Sequence, residues 1–184
     1  GVDVGTERSY SMSEANGLPR MFLVNKMDRE NASFSRCVSD IQGTFGNKCV
    51  PFNLPIGEAQ DFQGVISVIN PPAGVPPEIA EELAAARERL IEAAAESDDA
   101  LADKYLEGEE LTQAEIVTGA RSAIQKGEIV PILACSAIKN MGVEELVEMV
   151  LKFLPSPADG AKPNLAGLPG KEPVDYEADA DGPM

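Results

Sequence analysis

Met21-Phe22-Leu23-Val24-Asn25-Lys26-Met27-Asp28 is the stretch that decides how this chain folds. Four apolar residues stand in a row between turn signals, the pattern of a short strand buried on both faces, as in a parallel sheet. Upstream, residues 6–16 read as a helix with Thr6 as cap, Glu7 in its first turn, and Asn16-Gly17 with Pro19 as its stop. Downstream, residues 32–45 look helical but irregular. A second buried-strand run spans Ile129 to Cys135, and Val143 to Leu154 reads as an amphipathic helix ended by Pro155.

Between these halves lies a mixed excursion. Cys49-Val50-Pro51-Phe52 and Val65 to Ile69 are short β-type runs around the polar turn Gly57 to Gln60, and Pro51 and Pro55 mark them as edge or hairpin strands. Pro77 suits the first turn of a helix running from Glu78 to about Glu96, rich in strong helix formers. Residues 98–107 and 112–126 read as two more helices, the latter opened by the capping-box pattern Thr112-Gln113-Ala114-Glu115. The chain is therefore expected to be α/β with an inserted α+β subdomain. After Pro157 the sequence has no periodicity and reads as a linker or tail.

Composition removes whole classes of chemistry. The 184 residues carry 15 Lys+Arg against 31 Asp+Glu, a net charge of −16, and no His. His-based triads, His metal sites and a His general base are excluded. Such a charge repels a phosphate backbone, so direct nucleic-acid contact is not expected. Cys37, Cys49 and Cys135 are odd in number and widely spaced, fitting neither a disulfide framework nor a zinc site; a reducing cytoplasm is the expected setting. No apolar run approaches the ~20 residues of a membrane span. The chain begins Gly1-Val2-Asp3-Val4 and ends Gly182-Pro183-Met184, and the expectation is a piece of something longer.

Asn25, Lys26, Met27 and Asp28 follow a buried strand, where α/β sheets place their ligands. The chemistry suits a guanine. An Asp carboxylate accepts from the ring N–H and the exocyclic amine together, a donor pair that adenine lacks, and polar pairing of this kind discriminates by factors of ~10⁴ or more. Asn25 can brace the loop while the Lys26 stem lies along the ring. Alone, N-K-x-D also arises as a capped turn with an exposed Lys. A second element, Cys135-Ser136-Ala137-Ile138-Lys139-Asn140, likewise ends a buried strand; it is either a plain strand-to-helix turn or one whose backbone N–H meets the guanine carbonyl oxygen. Roughly 110 positions separate the two, whereas a simple strand–helix–strand unit needs only about 30.

Several runs resemble translation elongation factor G. They are Gly17-Leu18-Pro19-Arg20 into Val24-Asn25-Lys26-Met27-Asp28-Arg29, Lys104 to Glu110, Ser136 to Val143, and Leu154-Pro155-Ser156-Pro157. The stretch from Val4 to Ala32 is closer to an elongation-factor-G-like paralogue. The resemblance covers about residues 1–157. It implies the later part of a P-loop GTPase domain, with guanine recognition at Asn25, Lys26, Met27 and Asp28 and at Ser136, Ala137 and Ile138. It divides the chain into 1–45 with the N-K-x-D motif, a G′ insert over 46–127, a last strand and helix over 128–157, and a tail over 158–184. The connection between Ile69 and Glu78 is shorter than the family usually has.

The same resemblance implies GTP or GDP as ligand, with Mg²⁺ bound by segments absent here, and the ribosome as partner of the parent translocase. It leaves this chain without hydrolytic activity of its own. No G-x-x-x-x-G-K-[ST] loop occurs. Gly167 to Glu172 imitates one without its leading Gly or its hydroxyl. Asp61-Phe62-Gln63-Gly64 imitates a switch motif but follows the base motif, and Glu177 to Gly182 faintly resembles a calcium loop without its bidentate Glu. The acidic helix carrying Glu81, Glu88 and Glu92 is either a solvated face or, by position in the family, a dock for the ribosomal stalk protein, whose partner face is basic. Two rivals stand beside this reading: a stand-alone acidic protein-binding module without nucleotide chemistry, and a ribosome-protection-type relative.

Overall fold

The computed structural model describes residues 1–156. The tail, the Gly167–Glu172 run and the Glu177–Gly182 run lie outside them. Six α-helices and five strands follow in the order α1 (Val4–Ala15), β1 (Phe22–Val24), α2 (Phe34–Phe45), β2 (Cys49–Pro51), β3 (Asn53–Ile56), β4 (Gly64–Ser67), α3 (Pro77–Ala95), α4 (Asp99–Leu106), α5 (Gln113–Lys126), β5 (Val130–Ala134) and α6 (Val143–Phe153) among the described residues.

β1, β5 and β2 form a parallel sheet in that order, with Val24 opposite Ala134 and Pro51 opposite Ile132. β3 and β4 form a separate antiparallel hairpin. The fold is thus α/β with a parallel sheet, as the two apolar runs predict. Of those two runs only β5 is buried throughout: β1, expected to be buried on both faces, is an edge strand among the described residues, with Leu23 40% exposed. Cys49–Pro51 differs from a hairpin partner: it is an edge strand, but parallel and in the main sheet, although it falls inside the 46–127 stretch that reads as the insert. Pro51 is tolerated because an edge strand has one unpaired side.

Pro131 lies inside the central strand β5, where a missing N–H ordinarily breaks a ladder. Val130 N donates to Lys48 O on the β2 side at 2.8 Å, so by alternation Pro131 faces β1. β1 starts only opposite Ile132, and the absent donor has no strand to serve.

Helix ends follow their caps. α1 starts two residues before the expected Thr6, because Asp3 is the cap: its Oδ1 accepts from Thr6 N at 2.8 Å and Thr6 Oγ1 at 3.0 Å. α5 has the expected capping box, Thr112 with Glu115. Lys104 Nζ reaches Glu115 Oε1 at 2.8 Å from α4 and ties the two helices. Tyr10, Phe22 and Phe45 stack together, pinning α1 to β1 and α2, with Arg20 lying over the Tyr10 ring at 4.3 Å.

Candidate functional site

Because β1 and β5 are parallel and in register, their carboxyl ends emerge side by side. The Asn25–Asp28 loop and the Ser136–Ile138 turn therefore meet, although Asp28 and Ser136 stand 108 positions apart in the sequence.

Asn25 is the brace. Its Oδ1 accepts from Lys26 N at 2.6 Å, from Ala137 N at 3.1 Å and from the Cys135 thiol at 3.4 Å. The bond to Lys26 N helps hold a backbone that stands in the left-handed region, φ 68°, and Lys26 itself is exposed. Met27 is buried, and its N–H donates to Cys135 O at 3.1 Å. Asp28 is half-buried. Its Oδ1 accepts the Ser136 hydroxyl at 2.5 Å, and that bond holds the Asp28 carboxyl below its ordinary range.

Ser136 is fully buried and its polar groups are all used. Its hydroxyl also accepts from Lys139 N at 3.3 Å, and its N–H and C=O form a bridge with Met141. Gly142 makes that turn possible: at φ 77° an added Cβ would stand 2.6 Å from Ala134 O. Ala137 N–H is engaged by Asn25, whereas Ile138 is 80% exposed and its N–H makes no hydrogen bond among the described residues. The arrangement offers the free Oδ2 and a remaining lone pair of Oδ1 at Asp28, a donor at Ile138 and an aliphatic stem at Lys26. Those are the complements of one edge and one face of a guanine.

Four supporting residues escape sequence reasoning. Asn53 is buried and imitates a strand: its Oδ1 accepts from Ala134 N at 2.7 Å and its Nδ2 donates to Ala134 O at 3.2 Å, continuing the β2 side of the sheet to the end of β5. A polar residue among apolar ones is its only sign. Lys139 supports Ser136 through its backbone, which no side-chain pattern reveals. Glu58 and Ala59, at the tip of the β3–β4 hairpin, reach α2 and Met27. Glu81, Glu88 and Glu92 lie elsewhere, exposed on α3, whose opposite face buries Leu83, Ala86, Leu90 and Ala94.

The described residues contain no group of three or more His, Cys, Asp or Glu placed to hold a metal ion. No described helix is long and apolar enough to cross a membrane. Residues 1–156 match the family model described as the elongation factor Tu GTP-binding domain. A crystal structure from Thermus thermophilus is similar at 35% identity and a TM-score of 0.76, over 86% of this chain. The match spans 25% of that longer chain.

Proposed function

This chain belongs to the elongation factor Tu GTP-binding domain family, the GTP-binding domain of translation factors, and from that premise we propose that it supplies guanine recognition to an elongation-factor-G-like translocase. In this reading Asp28 accepts from the guanine ring N–H and exocyclic amine. Asn25 fixes the loop, Met27 anchors it, and the Lys26 stem covers the base. The guanine carbonyl oxygen takes a backbone N–H of the Ala137–Ile138 turn beside Ser136. The observation that carries the reading is the Ser136–Asp28 hydrogen bond, which couples two loops 108 positions apart into one recognition surface.

Binding of GTP phosphates and Mg²⁺ falls to segments other than these 184 residues, which have no phosphate loop. The partner is the ribosome in the cytoplasm, and the exposed Glu81, Glu88 and Glu92 stripe is the dock for the basic face of its stalk protein. A fluorescent GDP titration tests the division of labour. The chain alone is expected to bind feebly, without dependence on Mg²⁺, and to hydrolyse no GTP. Tight Mg²⁺-dependent binding overturns it.

A further inference from the structure

The six residues Asp28 to Ser33 connect the base-recognition motif to α2, and they are gripped at both ends by one turn of another element. At the near end, Ala59 N donates to Met27 O at 3.0 Å, while Met27 N donates to Cys135 O at 3.1 Å. The Met27 residue is thus hydrogen-bonded on both sides, by the hairpin tip and by the end of β5. At the far end, Glu58 Oε1 accepts from Phe34 N at 2.8 Å, the first N–H of α2. The α2 cap residue, Ser33, makes no side-chain cap bond of its own, so Glu58 does that work from 24 positions away.

The side chains between which the loop hangs are fixed as well, Met27 at 1% and Phe34 at 2% exposure. The turn that reaches them is itself tightly specified. Ala59 has φ 53°, and at Gly57, φ 73°, an added Cβ would lie 2.1 Å from Asp61 O.

We infer that the Glu58–Ala59 turn positions the base-recognition loop, Glu58 through α2 and Ala59 through Met27, and so sets where Asp28 stands. The inference rests on the reading of Asp28 as the guanine acceptor. Glu58 touches no ligand. It acts by removing freedom from the loop before the base arrives, so that less ordering remains to be done on binding. The hairpin, part of the inserted stretch, is thereby joined mechanically to the recognition loop.

The test compares Glu58→Ala with Glu58→Gln in the full 184-residue chain, because the Gln carbonyl oxygen keeps the acceptor for Phe34 N. Amide hydrogen exchange at Met27 and Phe34 is read against amides of α5 as an internal control, with no ligand present. GMP affinity is then measured from amide shifts. Glu58→Ala is expected to speed exchange at both residues by about tenfold, the range of a lost helix cap, with α5 unchanged and GMP binding several-fold weaker. Glu58→Gln is expected to restore all three. Unchanged exchange at Met27, or an equal rise in α5, overturns the positioning role. If Glu58→Ala loosens the loop as expected but the wild-type chain binds GMP no better than AMP, the clamp stands and the base-site reading is overturned.

Discussion

Ser136 donates its hydroxyl to Asp28 Oδ1 at 2.5 Å, joining the ends of two adjacent parallel strands. The bond uses one lone pair of Oδ1 and orients the carboxylate, leaving Oδ2 and the second lone pair of Oδ1 to accept. It also needs Ser136 to be buried and fully satisfied, which Lys139 N and the Met141 bridge provide. In the proposed function, base recognition is therefore a property of the pair of loops and not of either motif alone.

The pair sets a pH dependence. The Asp28 carboxyl is held below its ordinary value of about 3.9 chiefly by the Ser136 hydroxyl. A depressed carboxylate contributes stability that is present above the unfolded value and lost as pH falls through the folded one. Ser136→Ala is thus expected to raise the Asp28 titration midpoint, with no pH-dependent difference between the two proteins above about pH 5. Carbon-detected NMR of the carboxyl groups checks it; an unmoved midpoint contradicts the coupling.

A second acid-sensitive contact lies away from the site. Glu115 is pushed down to about 2, first by Lys104 and then by the Thr112 N–H and hydroxyl. Its contribution is complete above the unfolded value near 4.3 and fades as pH falls toward 2. Lys104→Ala should move the Glu115 midpoint up. Thr112→Ala should cost about 1 kcal/mol in urea unfolding at neutral pH, as loss of a capping hydroxyl does.

Charge reversal at Glu81, Glu88 and Glu92 tests the α3 surface. All three are exposed, so changing them to Lys leaves the buried face of the helix alone. Binding of the stalk protein through its basic face is expected to weaken, with the loss shrinking as salt rises. Equal affinity of both proteins at low salt contradicts a docking role.

The parallel sheet was legible because Met21–Val24 and Ile129–Cys135 are continuous apolar runs, and such runs have one common home. The α5 start was legible because a capping box is a local device written in four residues. The pairing of Cys49–Pro51 was not, since its partner β5 lies about 80 positions away and the two prolines marked it only as an edge or hairpin strand. Asn53 was equally hidden: its meaning lies in Ala134, and only the folded chain brings them together. At the site, side chains named by pattern were found side by side. Ala59 and Lys139 act through backbone groups that leave no residue-type signature, and Glu58 acts on a helix 24 positions away.

The central claim is guanine recognition by the joined loops, and one titration reaches it most directly. Millimolar GMP and AMP are added separately to the isotopically labelled chain while amide shifts are followed. The account predicts that GMP moves Asn25 to Asp28 and Ser136 to Ile138 together, that AMP moves neither group, and that Asp28→Asn abolishes the difference. Equal responses to the two nucleotides, or GMP shifts confined to other parts of the chain, would contradict it.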